Sequence, residues 1–373
     1  MEQNKKKHVF TLGSISKNNI IIFLLSPLTF SLNNKISEVY LTTYSDSFKF
    51  LSKFFGYIIG ALILFFIFTK NNEKSQRKTK GRIYLKKPSL YTKIKSKFIL
   101  CLILFLISFL DYLSTYLYTF LLKFTEFKFY SPYIIPLEVI SFWLLSILIF
   151  KLTLYKHHYI SMIIISFGLI LINFITFKFD DSEKINYFLI GGLLLLQYIF
   201  PLLDILSFHL LYQKDFHLYF LLFIIGILSI IFEFIFLFFS DYNLSKLFIE
   251  MSNRNNIFIF MLFALSNSIT FSLLYSVFKL YKPWIYATTA VINGLISSIF
   301  TFFSDDSLSF EVKIIISFIF LFLIFQCLVF NEQIICNFWG LNINTQNEIR
   351  KRAEIEFNSL FIKAEELENT PEI

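Results

Sequence analysis

Long apolar segments recur along this chain, and they restrict its fold more than any other feature of the sequence. A helix needs about 20 mostly apolar residues to cross a bilayer. Backbone polar groups in the hydrocarbon must pair within their own structure, so only helices and closed barrels can span it. The runs are continuous and do not alternate every second residue, which favours helices. The predicted spans are 18–36, 52–69, 98–122, 130–150, 156–177, 186–211, 218–240, 256–279, 283–303 and 312–331.

The composition agrees with a membrane protein. Hydrophobic residues make up 56% of the 373 positions, charged residues make up 16%, and the mean hydropathy is +0.66. A soluble domain has about 25% charged residues. Hiding 52 Phe and 20 Tyr from water requires an apolar solvent around the protein. We therefore expect an all-α polytopic membrane protein with about ten transmembrane helices.

The distribution of Lys and Arg predicts the orientation. With the N-terminus in the cytoplasm, most of the 34 basic residues fall on the inner side, and many of them lie in the loop 70–97. This bias follows the positive-inside rule, and both termini are then cytoplasmic. The basic loop is interpreted as a topology determinant that contacts anionic lipids, in preference to a nucleic-acid site. In this placement every basic residue, Lys53 included, lies outside the middle of the membrane.

Counting the spans also predicts the domain organisation. Five spans in each half would give the second half the opposite orientation, as in inverted repeats with a substrate site near the midplane. In the tail, Thr345 and Glu348 have capping-box spacing, which predicts an amphipathic helix after them. The expected parts are a cytoplasmic N-terminal arm at 1–17, a first five-helix repeat at 18–177, a second at 186–331, and a cytoplasmic C-terminal tail at 332–373.

Four carboxylic acids fall within the predicted spans: Asp111, Glu138, Asp204 and Glu233. Inserting a charged carboxylate at bilayer depth costs about 2.5–3.5 kcal/mol. No basic residue is predicted at the same depth. We expect these acids to be protonated, to face a water-filled cavity, or to bind a cationic substrate or a proton. The alternative is a neutral acid that hydrogen-bonds between helices.

Other polar residues share helix faces with these acids. Thr115 and Tyr118 follow Asp111 at helical spacing, and Gln197 precedes Asp204 by two turns. The predicted transport path consists of Asp111, Thr115, Tyr118, Glu138, Gln197, Asp204, Asn267, Thr289 and Asn293. Interhelical hydrogen bonding is the alternative role for the Thr and Asn residues among them.

Enzyme motifs do not occur in the sequence. It has no H-E-x-x-H metal motif, no G-x-S-x-G nucleophile elbow and no phosphate-binding G-x-x-x-x-G-K-[ST] loop. The 3 cysteines are scattered. We predict no catalytic residue, no metal and no cofactor, and the missing nucleotide loop argues against an ATP-driven pump.

Residues 110–172 resemble the drug/metabolite transporter superfamily. The shared order is an acid-led helix at Asp111, a short turn after Phe124, a helix closing at Lys151 and an apolar helix with Gly168. The chain is most similar to the branch of solute-carrier-35 F-type and chloroquine-resistance-transporter-like proteins. The resemblance implies ten helices in two inverted five-helix repeats, alternating access and an organic substrate. It also places Asp111 where an acid opens the third helix.

These observations predict a secondary transporter that moves a small organic metabolite by alternating access. The membrane acids favour a cationic solute or proton coupling. Membrane lipids are expected partners, and nucleic acids are not. The alternative is a non-transporting membrane receptor or assembly protein that acts through its cytoplasmic tail.

Overall fold

A computed structural model of the protein describes residues 25–33, 44–75, 90–121, 123–124, 135–150, 154–178, 187–214, 216–239, 241–280, 283–304, 309–330, 345, 348–349, 352 and 354–355. These residues contain no β-strand. The helices are α1 (25–33), α2 (Asp46–Ser75), α3 (Leu90–Leu121), α4 (Glu138–Phe150), α5 (Lys156–Lys178), α6 (Tyr187–Phe208), α7 (Leu218–Phe238), α8 (Asp241–Ser252), α9 (Arg254–Leu280), α10 (Pro283–Ser304) and α11 (Phe310–Phe330). A π-helical segment, His209–Gln213, extends α6.

The apolar helices confirm a multi-pass membrane protein. Among the described residues, seven helices, namely α2, α3, α5, α6, α7, α9 and α11, are long and apolar enough to cross a membrane. Shorter apolar segments, Glu138–Ile149 and Thr288–Phe300, lie in α4 and α10. Large side chains such as Phe66, Ile163 and Phe318 are exposed on the outer faces of the bundle. Continuous apolar surface of this kind is explained by contact with lipid.

Several predicted bounds are corrected. The basic loop predicted at 70–97 is helical at both ends, because α2 runs on to Ser75 and α3 begins at Leu90. Within the predicted span 130–150, the α-helix begins only at Glu138, after a 3₁₀ turn that contains Pro136. Proline lacks a backbone N–H and fits a helix best in its first turn. The short helix α8, between the predicted seventh and eighth spans, was not predicted.

The predicted terminal parts are described only in small part. The arm 1–17 lies outside the described residues. In the tail, residues 348, 349, 352, 354 and 355 are helical, and the Ile349 N–H donates to the Thr345 carbonyl at 3.0 Å. A helix therefore begins where the capping spacing predicts one, and the apolar face proposed for it lies outside the described residues.

The helix α2 occupies the centre of the bundle. It packs along α9 on one side and α7 on the other. In turn, α3 packs against α6 and α7, α4 packs against α6 and α10, and α11 packs against α5 and α10. Fully buried Phe54, Ile107, Phe142, Ile225 and Phe320 belong to one hydrophobic core that these helices share. This arrangement brings helices from both halves of the sequence together.

Two glycines allow α2 to approach α9 closely. A Cβ on Gly56 would lie 2.7 Å from the Ala264 carbonyl oxygen, and one on Gly60 would lie 2.6 Å from Ser272 Oγ. Glycines four residues apart lie on one helix face and let two backbones approach within a membrane. The G-Y-I-I-G sequence at residues 56–60 carries this signal. On the opposite side of α2, a Cβ on Gly226 would lie 2.9 Å from the Phe54 carbonyl oxygen.

Candidate functional site

A cavity of about 190 Å³ lies between helices of the two predicted halves. Residues of α1, α2, α3 and α4 line it from the first half, and residues of α6, α9 and α10 line it from the second. Its wall includes eight residues of the predicted transport path: Asp111, Thr115, Tyr118, Glu138, Asp204, Asn267, Thr289 and Asn293. These residues come from five helices, so helix packing alone brings them together.

Gln197 is the predicted path residue that does not line this cavity. It lies on the same helix as Asp204 and nearly on the same face, since seven residues make almost two full turns. The same spacing moves it about 10 Å along the helix axis, at 1.5 Å per residue. Gln197 therefore lies close to the helix face of Asp204, but at a different position along the helix axis.

Lys53 contacts Asp111, which corrects the expectation that no cation reaches the depth of the acids. Its Nζ lies 3.1 Å from Asp111 Oδ1 and 2.5 Å from Thr115 Oγ1. The side chains of Lys53 and Asp111 are only 16% and 3% exposed. The prediction was wrong because α2 begins at Asp46, before the predicted start at residue 52, so that Lys53 lies about two turns inside the helix.

The position of Asp111 along α3 also differs from the family-based expectation. Because α3 begins at Leu90, Asp111 lies deep within the helix and does not open it. The hydroxyl of Tyr57 donates to Asp111 Oδ1 at 2.9 Å. Asp111 Oδ2 is buried and has no hydrogen-bond partner among the described residues. One carboxylate oxygen is thus shared by two donors, and the other remains available.

Aromatic rings complete the surroundings of the Lys53 ammonium. Lys53 Nζ lies 4.9 Å from the centre of the Phe271 ring and 5.6 Å from that of Tyr57. The two rings also pack together, with centroids 4.6 Å apart. A cation within about 6 Å of a ring centre is attracted by the ring quadrupole. We call Asp111, Thr115, Tyr57 and Phe271 the Lys53 cage.

Two further carboxylates and a second lysine give the cavity a mixed charge. Glu138 and Asp204 are buried residues that line the wall from α4 and α6. Glu138 lies in the first turn of α4, where the helix dipole stabilises a negative charge. Lys49, one turn before Lys53, also lines the cavity. The arrangement suits a polar solute that carries charge, because it offers both acceptors and cations.

Glu233, the fourth acid predicted within a span, lies elsewhere. It is fully buried on α7, and the Tyr112 hydroxyl donates to its Oε2 at 3.1 Å. It does not line the cavity. Its contact with α3 corresponds to the interhelical hydrogen bond that the sequence analysis gave as the alternative role.

Asn267 and Asn293 both line the cavity and hold α1 in place. Asn33 Nδ2 donates to Asn267 Oδ1 at 2.9 Å, and Ser266 Oγ donates to Asn33 Oδ1 at 2.8 Å. Ser31 Oγ donates to Asn293 Oδ1 at 2.5 Å. Asn267 and Asn293 therefore line the cavity and also bond across helices, and α1 is attached to α9 and α10 by side-chain amides.

Replacing Asn293 with alanine should loosen the attachment of α1 to α10. Ser31 would lose its amide partner and keep only the backbone carbonyl of residue 293 at 3.3 Å and Ser297 Oγ at 3.1 Å. The net contribution of such a hydrogen bond is about 0.5–1.5 kcal/mol. We expect faster hydrogen–deuterium exchange of the amides in residues 25–33. The control is Ser276→Ala, since the Ser276 hydroxyl donates to the Ser272 carbonyl of its own helix. Equal exchange in both variants would show that Asn293 does not hold α1.

A second polar network joins the N-terminal end of α2 to α8 and α9. Ser45 donates its backbone N–H to Glu250 Oε1 at 2.8 Å, and its hydroxyl bonds Oε2 of the same carboxylate. The Tyr44 hydroxyl donates to Asn256 Oδ1 at 3.4 Å. Tyr44 and Phe48, which stack with centroids 4.6 Å apart, line the cavity nearby. This network links the two predicted halves next to the cavity.

Comparison with known proteins adds information on the fold. No protein-family model and no curated protein matches the sequence. Twenty chains of solved structures match. One of them, described as "Crystal structure of protein", has a TM-score of 0.51 and 10% sequence identity, over 82% of this chain and 96% of its own. At this identity the similarity concerns the fold alone.

Proposed function

We propose that this protein is a secondary transporter that moves a small organic metabolite by alternating access, as in the drug/metabolite transporter superfamily that its sequence resembles. The observation that carries the proposal is the cavity between the two predicted halves. Acids from three helices, Asp111, Glu138 and Asp204, line it together. Ionisable residues within a membrane protein usually mark a substrate or ion pathway.

The packing of the helices supports two inverted repeats of five spans. In such a repeat α2, α3, α4 and α5 correspond to α7, α9, α10 and α11. Three of these helices contact their own counterparts: α2 packs on α7, α4 on α10, and α5 on α11. A two-fold axis relates each other contact to a second one, and the α3–α7 contact is matched by the contact of α9 with α2. Within the described ranges, the α10–α11 contact has no counterpart of similar extent between α4 and α5.

The first helix fits the same pattern. The counterpart of α1 is α6, which packs against α3 and α4. The equivalent partners of α1 are α9 and α10, to which it is joined through Asn33–Asn267 and Ser31–Asn293. Helix contacts of this kind favour a bundle in which helices of the two halves interleave around a central site.

A transport assay with two cavity variants tests the proposal. A thermal-shift screen of the purified protein against metabolite classes first identifies a ligand, because selective binding stabilises the folded state. In proteoliposomes, we then expect Asp111→Asn and Asp204→Asn each to lower the initial uptake rate by roughly ten-fold or more. The reason is that a hydrogen bond to a charged group contributes about 1.5–3 kcal/mol.

The matched control is Glu233→Gln, because Glu233 is a buried acid that does not line the cavity. Its uptake rate should stay within about two-fold of the original protein, and thermal stability is recorded for all variants. Full uptake by both cavity variants would remove the site assignment. A protein that binds a ligand and moves none of it across the bilayer would contradict the transporter.

A further inference from the structure

We propose that the Lys53 cage is a binding site for an alkylammonium group of the solute, and that Lys53 fills it when no solute is bound. The transport role of this site rests on the proposed function, whereas ammonium binding can be measured without transport. The expected ligand is a small molecule that carries a primary alkylamine.

The cage has the acceptors and the rings that an alkylammonium needs. Asp111 Oδ1 and Thr115 Oγ1 lie 3.1 and 2.5 Å from Lys53 Nζ. The hydroxyl proton of Thr115 is donated to the Asp111 carbonyl, at 2.6 Å, so that its oxygen accepts from the ammonium. The rings of Phe271 and Tyr57 face the same nitrogen. An ammonium with three N–H donors fits this set, because these four residues present it with acceptors and π-systems.

Asp111 can accept more hydrogen bonds than it receives. An ionised carboxylate has about four lone-pair positions. Lys53 and Tyr57 both donate to Oδ1, whereas Oδ2 is buried without a hydrogen-bond partner in the described part of the chain. A solute ammonium that takes the place of Lys53 in the cage therefore has a second carboxylate oxygen to bond. This buried oxygen without a partner, together with the cation-binding geometry of the cage, indicates a ligand.

Lys53 is suited to be displaced. Its ammonium is carried by a flexible four-carbon stem, and its side chain, which lines the cavity, is partly exposed. Two ammonium groups at one carboxylate repel each other, so an incoming amine drives Lys53 out. Two further carboxylates, Asp204 and Glu138, line the same cavity. With Lys53 back in the cage, the empty protein does not expose an isolated charge at membrane depth, which is costly.

Chemical rescue of Lys53→Ala tests the proposal. The alanine removes three methylene groups and the ammonium, which together correspond to n-propylammonium. We expect n-propylammonium to raise the melting temperature of the purified variant, and 1-propanol at the same concentration to have no such effect. The original protein should need roughly ten-fold more amine for the same shift, because its tethered ammonium competes at high effective concentration.

Two variants serve as controls. Lys53→Ala/Asp111→Asn lacks the carboxylate and should lose the rescue. Lys49→Ala should respond to the amine as the original protein does, because Lys49 lies outside the cage. If Lys53→Ala is recovered folded only with n-propylammonium present, the proposal is supported. The proposal is overturned if n-propylammonium and 1-propanol have the same effect, or if the rescue persists without the Asp111 carboxylate. It is also overturned if Lys53→Ala does not fold with either additive while the double variant folds. Rescue without any transport would leave the cage intact and remove only its transport role.

Discussion

Lys53→Met is expected to lower the free energy of unfolding by about 3–5 kcal/mol, the cost of removing one partner of a buried ion pair. Methionine keeps most of the volume of the lysine stem, so the loss comes from the charge and not from a cavity. Asp111, only 3% exposed, would then have Tyr57 as its remaining side-chain donor among the described residues. Unfolding in SDS-containing mixed micelles, followed by tryptophan fluorescence or circular dichroism, measures the change.

A double-mutant cycle separates the ion pair from other effects of the substitution. Adding Asp111→Asn to Lys53→Met should recover most of the lost stability, because a neutral amide needs no counter-charge. The matched single control is Lys49→Met. Lys49 pairs at 3.4 Å with Asp46, whose side chain is 36% exposed, so that pair should contribute less than about 1 kcal/mol. Equal losses of unfolding free energy at positions 49 and 53 would show that the buried Lys53–Asp111 pair contributes no more to stability than the Lys49–Asp46 pair.

Gly56→Leu is expected to destabilise the protein by about 3 kcal/mol, the upper end of the range for overpacking. Even a Cβ at this position would meet the Ala264 carbonyl oxygen and Asn267 Cβ, both at 2.7 Å. A backbone atom cannot rotate away as a side chain does, so α2 and α9 must separate. The free energy of unfolding in the same SDS titration measures the loss.

The same substitution should also disturb the cavity. Gly56 lies one turn after Lys53 on α2, and its neighbour Asn267 belongs to the cavity wall. Ligands found in the thermal-shift screen should therefore bind Gly56→Leu more weakly. Gly191→Leu is the control, because a Cβ there has nothing within 4 Å. If both glycine variants are equally stable, the close approach of α2 and α9 does not limit the packing.

Much of the candidate site could be predicted because helix periodicity places polar side chains on one face. Asp111 and Thr115 are one turn apart on α3, and the structure brings both to the cavity. The partner of Asp111 could not be predicted in the same way. Lys53 is 58 residues away in sequence, and its depth depends on where α2 begins. The G-Y-I-I-G pattern, by contrast, indicates close helix packing from the sequence alone.

By itself, the sequence determined that this protein lies in a lipid bilayer and that its fold is helical. The reason is that continuous apolar runs of membrane length satisfy their backbone groups as helices. It also determined which helix faces carry polar groups, since that depends on spacing alone. The tertiary structure decided which of these faces meet. The pairing of Lys53 with Asp111, the approach of α2 to α9, and the attachment of α1 through Asn33 and Ser31 all join residues far apart in the chain. Such contacts depend on which helices become neighbours in the bundle, and local periodicity carries no information about that choice.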